Sequence, residues 1–245
     1  MNRPSLRLFA LGYVALAALS LMNSSAANAD TKDGALEAAE GLWAYTTLQA
    51  GGKGEEMPLT GVILFKNGVF AQQSIFDGQP FETQGAMAHA GPYGSGPKGI
   101  HMVAEQTISI APGKEPPLKF RRDTQHDISV AGTGDNLTIV FGSGTTQKFK
   151  RIGPGAGEIH KLANGVLAFV DGHFVLVAGD ENAVVTGFGK YKRAGTAYTL
   201  EVIRWSEATT STASNRRDVA LKATFDGTTF ALADGRTFRV VTPKK

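Results

Sequence analysis

The 245-residue chain contains no cysteine. Disulfide frameworks, thiolate nucleophiles, thiolate zinc sites and a lipidated N-terminal cysteine are excluded at once. Charge is also sparse, at 19% Asp, Glu, Lys and Arg, and close to balanced, with 25 basic against 22 acidic residues. The signs interleave, so the clustered positive surplus of a nucleic-acid footprint is missing and no nucleic-acid partner is expected. One apolar run stands out, Leu8 to Met22, interrupted by Gly12 and Ser20. At about 15 residues it is short for a bilayer that takes about 20. Arg3 and Arg7 precede it, and Ala27-Asn28-Ala29 follows with the small-x-small pattern that a signal peptidase reads. Residues 1–29 therefore read as an export signal, with a retained anchor as the alternative. The mature chain is expected to be periplasmic or secreted, with no membrane span. Losing two signal arginines leaves 23 basic against 22 acidic residues, so the basic isoelectric point of the whole chain says nothing about partners.

Apolar residues make up 42% of the chain, and its 30 glycines and 10 prolines make it turn-rich without a collagen period. The one expected helix runs from Asp30 to Glu40, with Asp33 as cap and Leu36 and Ala39 on one face. From Gly41 onward, short β-branched and aromatic runs are separated by Asn-Gly and Asp-Gly pairs at 67-68, 77-78, 164-165, 171-172, 226-227 and 234-235. Several of these suit two-residue hairpins, whose central residues need positive φ. The architecture reads as an antiparallel meander.

The meander repeats itself. Gly61-Val-Ile-Leu-Phe-Lys-Asn-Gly-Val-Phe70 recurs 104 residues on as Gly165-Val-Leu-Ala-Phe-Val-Asp-Gly-His-Phe174. Gly91-Pro-Tyr93 recurs as Gly189-Lys-Tyr191, Arg121-Arg122-Asp123 as Arg216-Arg217-Asp218, and Gln147–Arg151 as Arg236–Val240. The order is kept while the offsets shrink, as a second copy with shorter loops requires. The expected division is a first repeat over 30–152 and a second over 158–243, joined by the linker Gly153-Pro-Gly-Ala-Gly157. A turn at Asn67-Gly68 gathers Ile63, Phe65 and Phe70 on one strand face. A turn at Asp171-Gly172 gathers Leu167, Phe169, Phe174 and Leu176, and one at Asp226-Gly227 gathers Leu221, Ala223, Phe225, Phe230 and Leu232. One-sided strands in this number need a closed barrel or a sandwich to hide their edges, and a small barrel is expected. The hairpin at 165–177 is apolar on both faces, its second face holding Val166, Ala168, Val170, Val175 and Val177. It should be covered by the other copy, by another subunit, or within a sandwich, and self-association through the second repeat is one candidate.

A short helix followed by Gly41-Leu42-Trp43 on the first strand, with Arg151 or Lys150 on the last, resembles the calycin barrels and bacterial lipocalin-like domains. Gly91-x-Tyr93, His101, Arg121 or Arg122, and Asp135-Asn136-Leu137-Thr138 follow in an order similar to theirs. The likeness covers about residues 36–152. The second copy departs from it, with Gly157-Glu158-Ile159 where the indole should be and Thr199 near the position of His101. The resemblance implies two tandem lipocalin-like barrels, a structural Trp43–Arg151 pair in which a guanidinium over an indole is worth about 1 kcal/mol, and a cavity for a small, mostly apolar molecule. Allene-oxide-cyclase-like barrels share the shape, and from them an isomerase, cyclase or lyase would be implied.

The five histidines, at 89, 101, 126, 160 and 173, form no metal-ligand spacing, so no metal or other cofactor is expected. His101 and Glu105 share a strand face but lie about 13 Å apart, and either would need a partner from another strand to act as a base. Ser206–Ser214 reads as a mobile loop without a nucleophile elbow, and Gly91–Gly99 as a loop or flap. The expected function is reversible binding of a small hydrophobic molecule by the first repeat. Ile63, Phe65, Phe70 and Phe76 are its candidate wall, and Tyr93, His101 and Arg122 its candidate polar groups. An enzyme in the same cavity, with His101 or Glu105 as proton carrier, is the alternative, and an envelope interaction module with filled barrels is a third.

Overall fold

The computed structural model describes residues 34–52 and 54–241. The export signal and the Asp33 cap lie outside the described residues. A short helix, residues 34–39, leads into the first of two antiparallel barrels in tandem. Among the described residues, no helix is long and apolar enough to cross a membrane.

The first barrel is built from β1 (Gly41–Gln49), β2 (Glu56–Lys66), β3 (Val69–Phe76), β4 (Ala86–Gly96), β5 (Gly99–Ala104), β6 (Gln106–Ile110), β7 (Leu118–Arg121), β8 (Thr124–Thr133), β9 (Asn136–Phe141) and β10 (Thr146–Gly153). Pairing runs β3-β2-β1-β10-β9-β8-β5-β4, and β4 returns to β3, so eight strands close a ring. The β6–β7 hairpin leaves that ring. Strands β5 and β6 both pair with β4, but a kink at Glu105 and a positive-φ residue at Asp123 turn β6 and β7 outward.

The second barrel repeats this plan with β11 (Gly157–Leu162), β12 (Gly165–Val170), β13 (His173–Gly179), β14 (Ala183–Ala194), β15 (Ala197–Thr209), β16 (Ala213–Arg216), β17 (Val219–Phe225), β18 (Thr229–Leu232) and β19 (Thr237–Arg239). A bridge between Leu162 and Val240 nearly closes it. The long β15 stands for β5 and β6 together, with β16 leaving beside it as β7 does. The turn residues Asn67 and Asp171 share φ 50°, and the bend residues Asp123 and Asp218 have φ 55° and 54°. Gly91 and Gly189 are also equivalent. A methyl group on either would sit 2.0 or 2.1 Å from a backbone carbonyl of the adjoining strand.

Two expected loops are strand. Residues 91–96 complete β4 and enter a tight turn to β5, and 206–209 complete β15, because in each case the neighbouring strand satisfies their backbone groups.

Each barrel has its own core, one around Trp43, Phe65 and Phe70, the other around Phe169, Phe174 and Phe230. A third core lies between the barrels. It joins Val62, Leu64, Ala71, Ala88, Ile108 and Ile110 to Val166, Ala168, Val170, Val175, Val177 and Phe188. The second apolar face of the 165–177 hairpin is therefore covered by the other copy, and that face is not free for another subunit. Polar contacts rim the junction. Lys161 meets Glu105 at 2.7 Å, Arg122 meets Glu181 at 3.3 Å, and Asn215 donates to the carbonyls of Phe81 and Gln84 at 3.1 and 2.8 Å.

A candidate ligand cavity in the first barrel

One end of the first barrel is sealed. The Trp43 indole N–H donates to the Ala39 carbonyl at 2.8 Å, and the Arg151 guanidinium lies 3.9 Å over the indole while donating to the Glu40 carbonyl at 3.1 Å. Gly41 leaves the room for this, since a Cβ there would come within 2.7 Å of Arg151 Nη1. Tyr93 closes the same end, with its hydroxyl donating to Glu40 and its ring edge-on to Phe65 at 5.1 Å. Burial raises the Tyr93 phenol well above its ordinary value, and the Glu40 carboxylate adds to this.

Beyond this plug the barrel is hollow, with a cavity of about 630 Å³. Leu48, Met57, Phe70, Phe76, Met87, Met102 and Phe141 make its apolar wall. Gln72, Ser74, His89, His126 and Gln147 face it from between them, and Lys98, Gln125, Asp127 and Ser143 stand at the rim. A polar band crosses the wall. The Tyr45 hydroxyl donates to Gln147 Oε1 at 3.0 Å and accepts from Gln72 Nε2, and Gln72 is the cross-strand partner of His89. The His89 and His126 rings lie 6.0 Å apart at a steep angle, and Phe141 meets His126 edge-on at 5.5 Å. Burial, with a smaller contribution from His126, pushes His89 down to about 4. Burial also lowers His126, so both imidazoles are uncharged at neutral pH. Among the described residues, neither ring hydrogen-bonds to the protein.

Of the residues expected from sequence, Phe70 and Phe76 line the cavity, while Ile63 and Phe65 are buried in the core. Tyr93 belongs to the plug. His101 projects from the outer face, where its Nδ1 meets Asp127 at 2.8 Å. Glu105 and Arg122 are held by Lys161 and Glu181 of the other repeat. His101, Glu105 and Arg122 are thus not brought together at the cavity. Sequence reasoning missed Gln72, Ser74, His89, His126 and the methionines, although comparing the copies position by position would have found them.

That comparison is the sharpest statement about the site. In register, the pairs Gln72–His89, Ser74–Met87 and Met102–His126 correspond to Leu176–Gly187, Ala178–Val185 and Leu200–Leu221. Thr107, beside His89, corresponds to Trp205, beside Gly187. The Trp205 indole lies over Gly187, where a methyl would come within 2.3 Å of its Cε3. Phe169, Tyr198, Phe225 and Phe230 pack the rest of that lumen, with Phe169 4.5, 5.9 and 6.2 Å from the other three. The second copy thus carries no polar side chain at any of the six positions.

No protein-family model, no curated protein and no solved structure matches the chain.

Proposed function

We propose that the first barrel is a lipocalin-like container that binds a small, mostly apolar molecule bearing an uncharged hydrogen-bonding group, and that the second is a filled brace. The observation that carries this is the contrast between copies: one lumen holds about 630 Å³ of space with unspent polar groups facing it, while aromatic side chains fill the other. The volume lies in the usual range for ligand sites, about 300–1,000 Å³. Burying an apolar ligand there supplies affinity at roughly 25 cal/mol per Å² before association costs. Two uncharged imidazoles offer both a donor and an acceptor to a hydroxyl or carbonyl. The ordered Gly-x-Trp, arginine and tyrosine pattern supports the lipocalin-like reading, and the N-terminal pattern supports export.

An isomerase or cyclase in the same space would have to use His89 and His126, since His101 and Glu105 face away from it.

The test grafts the second copy's plug into the first. A fluorescent apolar probe, 1-aminoanthracene, should bind the wild type at one site, and the double variant His89→Gly/Thr107→Trp should lose that binding while remaining folded by circular dichroism. Unchanged probe binding in the grafted protein would contradict the reading.

A further inference from the structure

The cavity holds a second pattern that an organic occupant does not require. Met57, Met87 and Met102 are all the methionines among the described residues, and all three line this space. Met87 and His89 alternate onto the same face of β4, about 7 Å apart. Met102 and His126 are direct cross-strand partners on β5 and β8, which sets their Cβ atoms about 5 Å apart. The imidazole centroids lie 6.0 Å from each other. That separation suits two rings sharing one ion through metal–nitrogen bonds of about 2 Å.

We infer that His89, His126, Met87 and Met102 form a soft-metal site for a single copper(I) ion. Two imidazoles with two thioethers make a donor set that favours copper(I) over hard, oxygen-seeking cations. Among the described residues, no group of three or more His, Cys, Asp and Glu is gathered in the manner of a zinc or calcium site. The four side chains also appear and vanish together, since the second copy carries Gly187, Leu221, Val185 and Leu200 in their places. Among the described residues, neither imidazole is spent on a protein hydrogen bond, and Phe141 lies against His126, shielding that side.

The test is an anaerobic titration of the purified protein with copper(I) against the chromophoric chelator bicinchoninate. One equivalent of copper(I) should be withdrawn from the chelator. His126→Leu, which installs the residue the second copy tolerates, should lower the affinity about 100-fold or more. Met102→Leu, a volume-conserving change, should lower it about tenfold, with both variants keeping the wild-type circular dichroism. A wild type that takes no copper(I), or a His126→Leu variant that binds it as tightly as the wild type, overturns the inference. The outcome is independent of the organic ligand. Retained 1-aminoanthracene binding without copper(I) uptake removes the metal site alone, whereas copper(I) uptake without probe binding removes only the apolar-ligand reading.

Discussion

Gly187 owes its identity to a single neighbour. With Trp205 Cε3 only 2.3 Å from where a Cβ would stand, Gly187→Ala forces the indole out of its seat. A loss of about 1–3 kcal/mol is expected, the range for overpacking, and it is read as a lower denaturant midpoint with an unchanged slope. Glu207 supports the same indole, accepting from Trp205 Nε1 at 3.1 Å and from Arg216 and Arg236 at 2.7 and 2.9 Å. Burial alone would raise its pKa, but the indole donor and the two guanidiniums outweigh that and hold the carboxyl below its ordinary 4.5. A lowered carboxyl contributes stability that is complete above 4.5 and is lost as pH falls through the lower folded value. Thermal melts of Glu207→Gln should therefore lose part of the wild type's decline in Tm below pH 4.5, and identical acid slopes would contradict that role. At this scale the sequence was legible where a residue's job is local. Asn67 and Asp171 read as turn formers, whereas the long-range stacking of Arg151 on Trp43 was expected only from the family resemblance, with Lys150 as its alternative. Gln72, Ser74, His89 and His126 were not legible strand by strand, because a polar residue facing a hollow lumen alternates along a strand just as one facing water does, and only setting the two copies in register marks them.

At the scale of elements, the β6–β7 hairpin separates what was legible from what was not. Its residues were read only as part of the meander from Gly41 onward, and nothing local records that Glu105 and Asp123 turn it out of the ring. Once it is turned, Ile108 and Ile110 face the second barrel in the shared core. The 165–177 hairpin was readable from its two apolar faces, whereas the identity of its cover was a tertiary fact. Ile108→Asp places a charge at a fully buried position in that junction, where an uncompensated ion costs about 3–5 kcal/mol. Calorimetry should show one unfolding transition for the wild type, because the junction couples the barrels. In the variant the transition should fall in temperature and separate into two. A variant that melts as the wild type does would mean the junction contributes little.

Across the whole molecule, duplication has left one barrel hollow and the other solid, joined by a core between them. The repeat and the barrel class were visible in segments such as 61–70 and 165–174. The difference in their interiors was not, because it depends on which residues meet across strands, His89 with Thr107 and Gly187 with Trp205. Methionine methyl groups supply a direct probe of that difference, since all three in the described residues border the hollow lumen. Carbon-13 methyl spectra of methionine-labelled protein, recorded during titration with 1-aminoanthracene, should show saturable shifts for Met57, Met87 and Met102, while the Trp205 indole resonance stays fixed. Unmoved methionine methyls at saturating probe, or shifts centred on Trp205, would contradict a ligand site in the first barrel.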